Sequence, residues 1–170
     1  MASNKEPHID AHTTVIVEWR GPYSYRDIAD NPSWGRGLYF ATGRVRYGRV
    51  ATIHYCGFTE GSYVTRLRNH HKVHEINREQ EFWLGEVVCP SDGSRYFLER
   101  AESMFIWFWL PRLNDKKTKH PPTPTTLINW WIRKNGEPRL RRHPMCRDLP
   151  DVVSWDGEYW RTGNVNVWRG

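Results

Sequence analysis

Glycine and proline cut residues 21–61 into short runs that favour strands and turns over long helices, and that punctuation constrains the fold most. Residues 13–19 (TTVIVEW) are rich in β-branched side chains and read as a strand, broken by Gly21-Pro22. Residues 37–42 (GLYFAT) form a second strand, 43–48 a basic turn, and 50–55 (VATIHY) a third strand paired with the second as a hairpin. A loop over 57–61 leads to Ser62, which is placed to cap a helix running to about residue 77. Residues 82–89 (FWLGEVVC) are another strand, closed by Pro90 and Ser91-Asp92-Gly93. A second helix covers 96–110 and stops at Pro111. This order implies an α/β (α+β) fold, a small central sheet flanked by helices, with an N-terminal strand added.

Beyond this region, 120–126 (HPPTPTT) is a proline-rich connector and a candidate boundary. Residues 127–133 are apolar and short, and helix and strand both fit them; Asp156-Gly157 is a hairpin signal. The length of 170 residues suits one domain and a tail, and 38% hydrophobic with 26% charged residues is ordinary for a soluble protein. Cys56, Cys89 and Cys146 are odd in number and lack C-x-x-C spacing, which points away from a zinc ribbon or disulfide framework. No apolar leader opens the chain, and its longest apolar run, 104–110, is too short to cross a bilayer. A cytoplasmic protein with no membrane partner is the expectation.

Net charge is +6, and it is unevenly placed: residues 112–147 carry ten Lys/Arg against two Asp/Glu. Such a concentration either attracts a polyanion by counterion release or is a solvated linker. Five of the ten tryptophans, Trp130, Trp131, Trp155, Trp160 and Trp168, lie in the same tail. Aromatics among Arg133, Lys134, Arg139, Arg141, Arg142 and Arg147 suit nucleic acid, rings stacking on bases and cations holding phosphates. A tryptophan-rich core or a dimer contact explains the rings equally well.

The second helix carries a misplaced acid. Leu98, Phe105, Ile106 and Trp109 share one helical face with Glu102. A carboxylate in that stripe loses hydration, at a cost of several kcal/mol unless cations or donors compensate. Glu102 is therefore a functional candidate; otherwise it reaches solvent at the stripe's edge or pairs with Arg66 or Arg100. On the first helix, Arg66, His70 and His74 are spaced four apart, a row that suits either a phosphate or a solvated face. The HHKVHE run over 70–75 does not fit a zinc protease, because its glutamate follows the last histidine rather than the first.

With these residues in place, the stretch 37–114 resembles the GIY-YIG nuclease superfamily. Gly37-Leu38-Tyr39 is similar to the first signature and Tyr55-Cys56-Gly57 to the second, on consecutive strands. Arg66 and His70 match the arginine and histidine of the next helix, and Glu102-x-x-x-Ile106, Pro111 and Asn114 match the later pattern of glutamate, proline and asparagine. Two departures are Phe58, where many members carry a lysine or other polar residue, and a 57–66 loop about one residue longer than usual.

The resemblance implies a core over 37–119, between an N-terminal extension (1–36) and a basic C-terminal one (120–170). It implies a divalent-metal-dependent endonuclease with Mg²⁺ or Mn²⁺ on Glu102. In it Arg66 stabilises developing charge, Tyr39 acts as base or orients water, Tyr55 and His70 support the phosphate or the proton traffic, and Asn114 fixes the helix end or the glutamate. The partner would be DNA, with RNA open as well, and a homodimer or larger complex of the restriction or phage-defence kind fits members of this size. The alternative is an inactive nucleic-acid-binding or protein-interaction module on the same fold.

Overall fold

The computed structural model describes residues 12–139 and 149–165. Its elements are β1 (Thr13–Tyr23), α1 (Tyr25–Ala29), β2 (Gly35–Val45), β3 (Thr52–Ser62), α2 (Tyr63–Arg68), a 3₁₀ turn (Val73–Glu75), β4 (Ile76–Cys89), α3 (Arg95–Trp109), β5 (Thr125–Arg133), β6 (Val152–Trp155) and β7 (Trp160–Gly163). The strands form one seven-stranded sheet in the order β3-β2-β4-β1-β5-β6-β7. Every pairing is antiparallel except β1 with β5. No helix among the described residues is long and apolar enough to cross a membrane.

β2 is buried on both faces from Gly37 to Gly43, which explains why 37–42 reads as continuous apolar sequence rather than alternating. Leu38 and Phe40 face one core, with Val17, Trp19, Trp83, Met104, Phe105 and Trp131. Tyr39 and Ala41 face the other, with Phe82, Leu84, Tyr63, Val64 and Leu67. The period-two alternation of β2 thus sends Tyr39 to the side covered by α1 and α2, and α3 packs on the opposite side. β3 is the sheet's edge on this flank.

Ser62 caps α2 as its position suggests, its hydroxyl accepting from Thr65 N–H at 3.3 Å. The helix, however, ends at Arg68 rather than near 77. Pairing decides this: Ile76 and Arg78 already belong to β4 and lie opposite Val45 and Arg44 of β2. A non-local ladder overrides the local preference for helix. Gly21-Pro22 likewise does not end β1; the strand passes through it with a register shift between Arg20 and Tyr23, a bulge being where a sheet tolerates proline.

Residues 125–133 resolve as strand, in parallel register with β1 from Thr13↔Thr125 to Gly21↔Arg133. The stretch expected as an appended tail therefore supplies β5, β6 and β7 to the same sheet. Trp131 stacks on Trp19 at 5.6 Å, and Trp155 and Trp160 lie 4.9 Å apart beneath Phe108. Trp19 and Trp131 are core, Trp155 and Trp160 are half-buried against it, and Trp130 is 58% exposed. Trp168 and Cys146 lie outside the described residues.

Candidate active site

Gly37 and Gly57 are both required by close approach. A methyl on Gly37 would lie 2.2 Å from the Tyr63 hydroxyl and 2.3 Å from the Gly85 carbonyl oxygen. A methyl on Gly57 would lie 2.8 Å from the Tyr39 hydroxyl, 2.9 Å from its Cζ and 3.0 Å from Cε1 of Tyr55. The bare backbone at Gly57 thus lets the phenol of the fully buried Tyr39 reach the edge strand beside Tyr55. There Tyr39 Oη accepts a hydrogen bond from Arg66 Nε at 3.2 Å.

The rings of Tyr39 and Tyr55 stack at 6.0 Å, and His70 meets Tyr55 edge-on at 4.4 Å. His70 sits in the turn after α2, not on its face, and is buried; Val73 N–H points at its Nδ1 (3.4 Å). Burial, then the Arg66 charge, hold the imidazole down to about 4, so it is neutral at physiological pH. His74 lies in the 3₁₀ turn against the Arg68 carbonyl, so the row expected from Arg66 through His74 does not exist. The helix that would have carried it stops at Arg68.

Burial pushes the Tyr39 phenol well above its ordinary value near 10, aided by Tyr55 and opposed by Arg66. Tyr55 is raised in the same way by burial, with Arg66 opposing and the Glu102 charge adding to the rise. Both phenols are protonated at neutral pH, so Tyr39 cannot serve unaided as the base expected of it.

Glu102 is 9% exposed, on the face of α3 it shares with buried Leu98, Phe105 and Ile106. Burial raises its carboxyl above the ordinary glutamate value; the Lys117 ammonium pulls it back, Glu99 adds to the rise and Arg66 opposes it. The Glu102 charge thus acts on the titration of Tyr55, and the Arg66 charge on both Tyr55 and Glu102. The carboxylate's direct partner is Lys117, neither of the two arginines expected as structural partners. Arg100 instead donates to the Pro124 carbonyl and the Thr125 hydroxyl. Lys117 adopts a left-handed backbone (φ 61°) and holds its ammonium 5.5 Å above the Phe58 ring, which Arg95 also faces at 5.4 Å.

Asn114 binds the edge strand rather than the glutamate. Its Oδ1 accepts from Cys56 N–H at 2.9 Å and its Nδ2 donates to the Cys56 carbonyl at 2.7 Å. With Leu113 N–H on the His54 carbonyl (2.9 Å), this continues the ladder where β3 has no neighbouring strand. It also fixes the backbone between Tyr55 and Gly57.

The expected tail cations divide. Arg133 is paired with Glu137, Lys134 lies 3.7 Å from Asp27, and Arg139 binds Asp151 at 3.0 Å with its guanidinium 4.9 Å over Trp131. Arg141, Arg142 and Arg147 lie outside the described residues. Among the described residues no three His, Cys, Asp or Glu side chains gather as a metal-ligand group. Lys117 is the partner of Glu102 that sequence reasoning missed; Lys116-Lys117 carries no motif, and the turn after α3 brings it to Glu102.

No family model matches the chain, and no curated protein and no solved structure matches it either.

Proposed function

We propose that the chain is a metal-dependent nuclease that hydrolyses a phosphodiester of nucleic acid at the edge of β3. One observation carries the reading: a buried carboxylate, Glu102, lies within electrostatic reach of Arg66 and Tyr55 where Gly57 opens the sheet to the Tyr39 phenol. Its hydration is lost, and a fold spends several kcal/mol on such a group only against a compensating cation.

Glu102 would be the one protein ligand of Mg²⁺ or Mn²⁺, taking the ion in place of the Lys117 ammonium. A single hard carboxylate suits an ion that keeps most of its waters, and the Lys117 ammonium already marks the spot as one that holds a cation. Held by Glu102, such an ion would supply charge neutralisation at a phosphoryl oxygen. The Arg66 guanidinium, fixed through Nε by Tyr39, presents its remaining N–H donors to the charge that grows on phosphorus-bound oxygen. Tyr39 keeps its proton, so it orients the attacking water rather than deprotonating it; the water's proton passes to solvent, which also restores the one Tyr55 gives to the leaving oxygen. Tyr55, protonated beside Arg66, is the donor for a leaving oxygen, and neutral His70 braces its ring. Asn114 positions the strand that carries Tyr55.

Lys117 favours a second reading, a binding module on the same fold, because an ion pair with Glu102 satisfies the carboxylate without chemistry. Nicking of supercoiled plasmid with Mg²⁺ or chelator separates the two. Metal-dependent nicking that disappears in Glu102→Gln is expected; no nicking by folded wild type under any divalent ion leaves the binding module.

A further inference from the structure

A second site lies on the outer side of α3. An open cavity of about 720 Å³ lies between this helix and residues 115–123. Its walls carry Arg100, Lys116, Lys117, Lys119 and His120, with Tyr96 half-exposed at the rim. Two acids also line it, and both are neutralised from outside: Glu99 by Arg95, and Asp115 by Lys72. Lys116 and Lys119 are exposed and form no ion pair among the described residues. Arg100 is 6% exposed and held in place by Pro124 and Thr125, so one cation of the wall is fixed before any ligand arrives. The cavity is concave, cationic and of ligand-pocket size, roughly 300–1,000 Å³ in general. Lys117 belongs to both places, lining the cavity while binding Glu102.

We propose that this cavity is the subsite for a backbone phosphate of a nucleic-acid strand, adjacent along the strand to the bond held at Glu102. The choice of substrate rests on the nuclease reading; the test below does not. The described tail cations are occupied by Glu137, Asp27 and Asp151, whereas Lys116 and Lys119 offer their charge outward. Tyr96, with Arg100 5.0 Å over its ring, provides a face on which a base adjoining that phosphate stacks.

The test is binding of a fluorescent single-stranded DNA oligonucleotide to the full chain in chelator, followed by anisotropy across a salt series. For Lys116→Gln/Lys119→Gln, losing two contacts at roughly 0.7 each should flatten the log affinity against log salt slope by about 1.4 and weaken binding about tenfold at low salt. Arg133→Gln/Lys134→Gln should bind as wild type. The strand should also shield Lys116 and Lys119 from acetylation, read by mass spectrometry on the unmutated chain. Wild-type binding by the cavity variant, or unshielded lysines in the bound chain, overturns the proposal. So does displacement of the strand by low-millimolar inorganic phosphate where sodium chloride of equal ionic strength has no effect, which would make the cavity a free-anion site. Shielding without any metal-dependent cutting upholds the subsite and removes the nuclease reading; cutting without shielding does the reverse.

Discussion

Gly57→Ala probes how the site is built. The added methyl would meet Tyr39 Oη at 2.8 Å, Tyr39 Cζ at 2.9 Å and Tyr55 Cε1 at 3.0 Å. Carbon contacts are most favourable near about 3.5–4.0 Å, so all three are compressed. The Tyr39 ring has nowhere to go: it is fully buried and met by the rings of Tyr55, Tyr63 and His70. Overpacking of this kind costs about 1–3 kcal/mol, and shifting the phenol off Arg66 adds roughly 1 kcal/mol at this half-exposed arginine, giving about 2–4 kcal/mol in total. Urea unfolding should show the loss as a lower midpoint with unchanged slope. The same substitution in a Tyr39→Phe background removes the closest contact and the bond together. There Gly57→Ala should cost about 1 kcal/mol less, a coupling expected of groups in contact. Additive losses, within about 0.5 kcal/mol, would refute the claim that Gly57 exists to admit the Tyr39 hydroxyl.

Lys117→Met should raise the Glu102 pKa, because the ammonium is the largest influence holding it down against burial. Carboxyl NMR should then show Glu102 staying protonated to a higher pH than in wild type, so any metal bound there is released at a higher pH as acid is added; an unmoved titration would show that the ion pair does not form in solution. Asn114→Ala should destabilise by about 1–3 kcal/mol, since both backbone groups of Cys56 lose their partner at a half-buried edge, and amide exchange at Cys56 should accelerate. Unchanged exchange there would remove Asn114 as the strand's clamp.

The stripe containing Glu102 was legible because one long helix writes its faces directly into residue spacing, and Leu98, Phe105 and Ile106 are all buried beside it. The glycine-tyrosine triplets were legible as patterns, although their reason, room for two phenolic hydroxyls, needs three dimensions. What escaped depends on non-local pairing. Residue spacing alone extends a helix from Ser62 to about 77, yet Ile76 and Arg78 pair with β2 from thirty residues away. The tail reads as an appendage because nothing local announces that 125–133 lies parallel to β1 and buries Trp131 on Trp19. The same blindness hides Arg139 on Asp151 and Lys117 on Glu102: a basic run shows its charge in sequence but not which acid awaits it.

The most direct test is single-turnover cleavage of an end-labelled duplex by saturating enzyme in Mg²⁺, compared among wild type, Glu102→Gln and Arg66→Ala with substrate binding measured in parallel. Cleavage by wild type, its loss in Glu102→Gln and a fall of orders of magnitude in Arg66→Ala, all with binding preserved, is the predicted result. Equal cleavage by wild type and Glu102→Gln would contradict the account, since the buried carboxylate would then have no part in the chemistry.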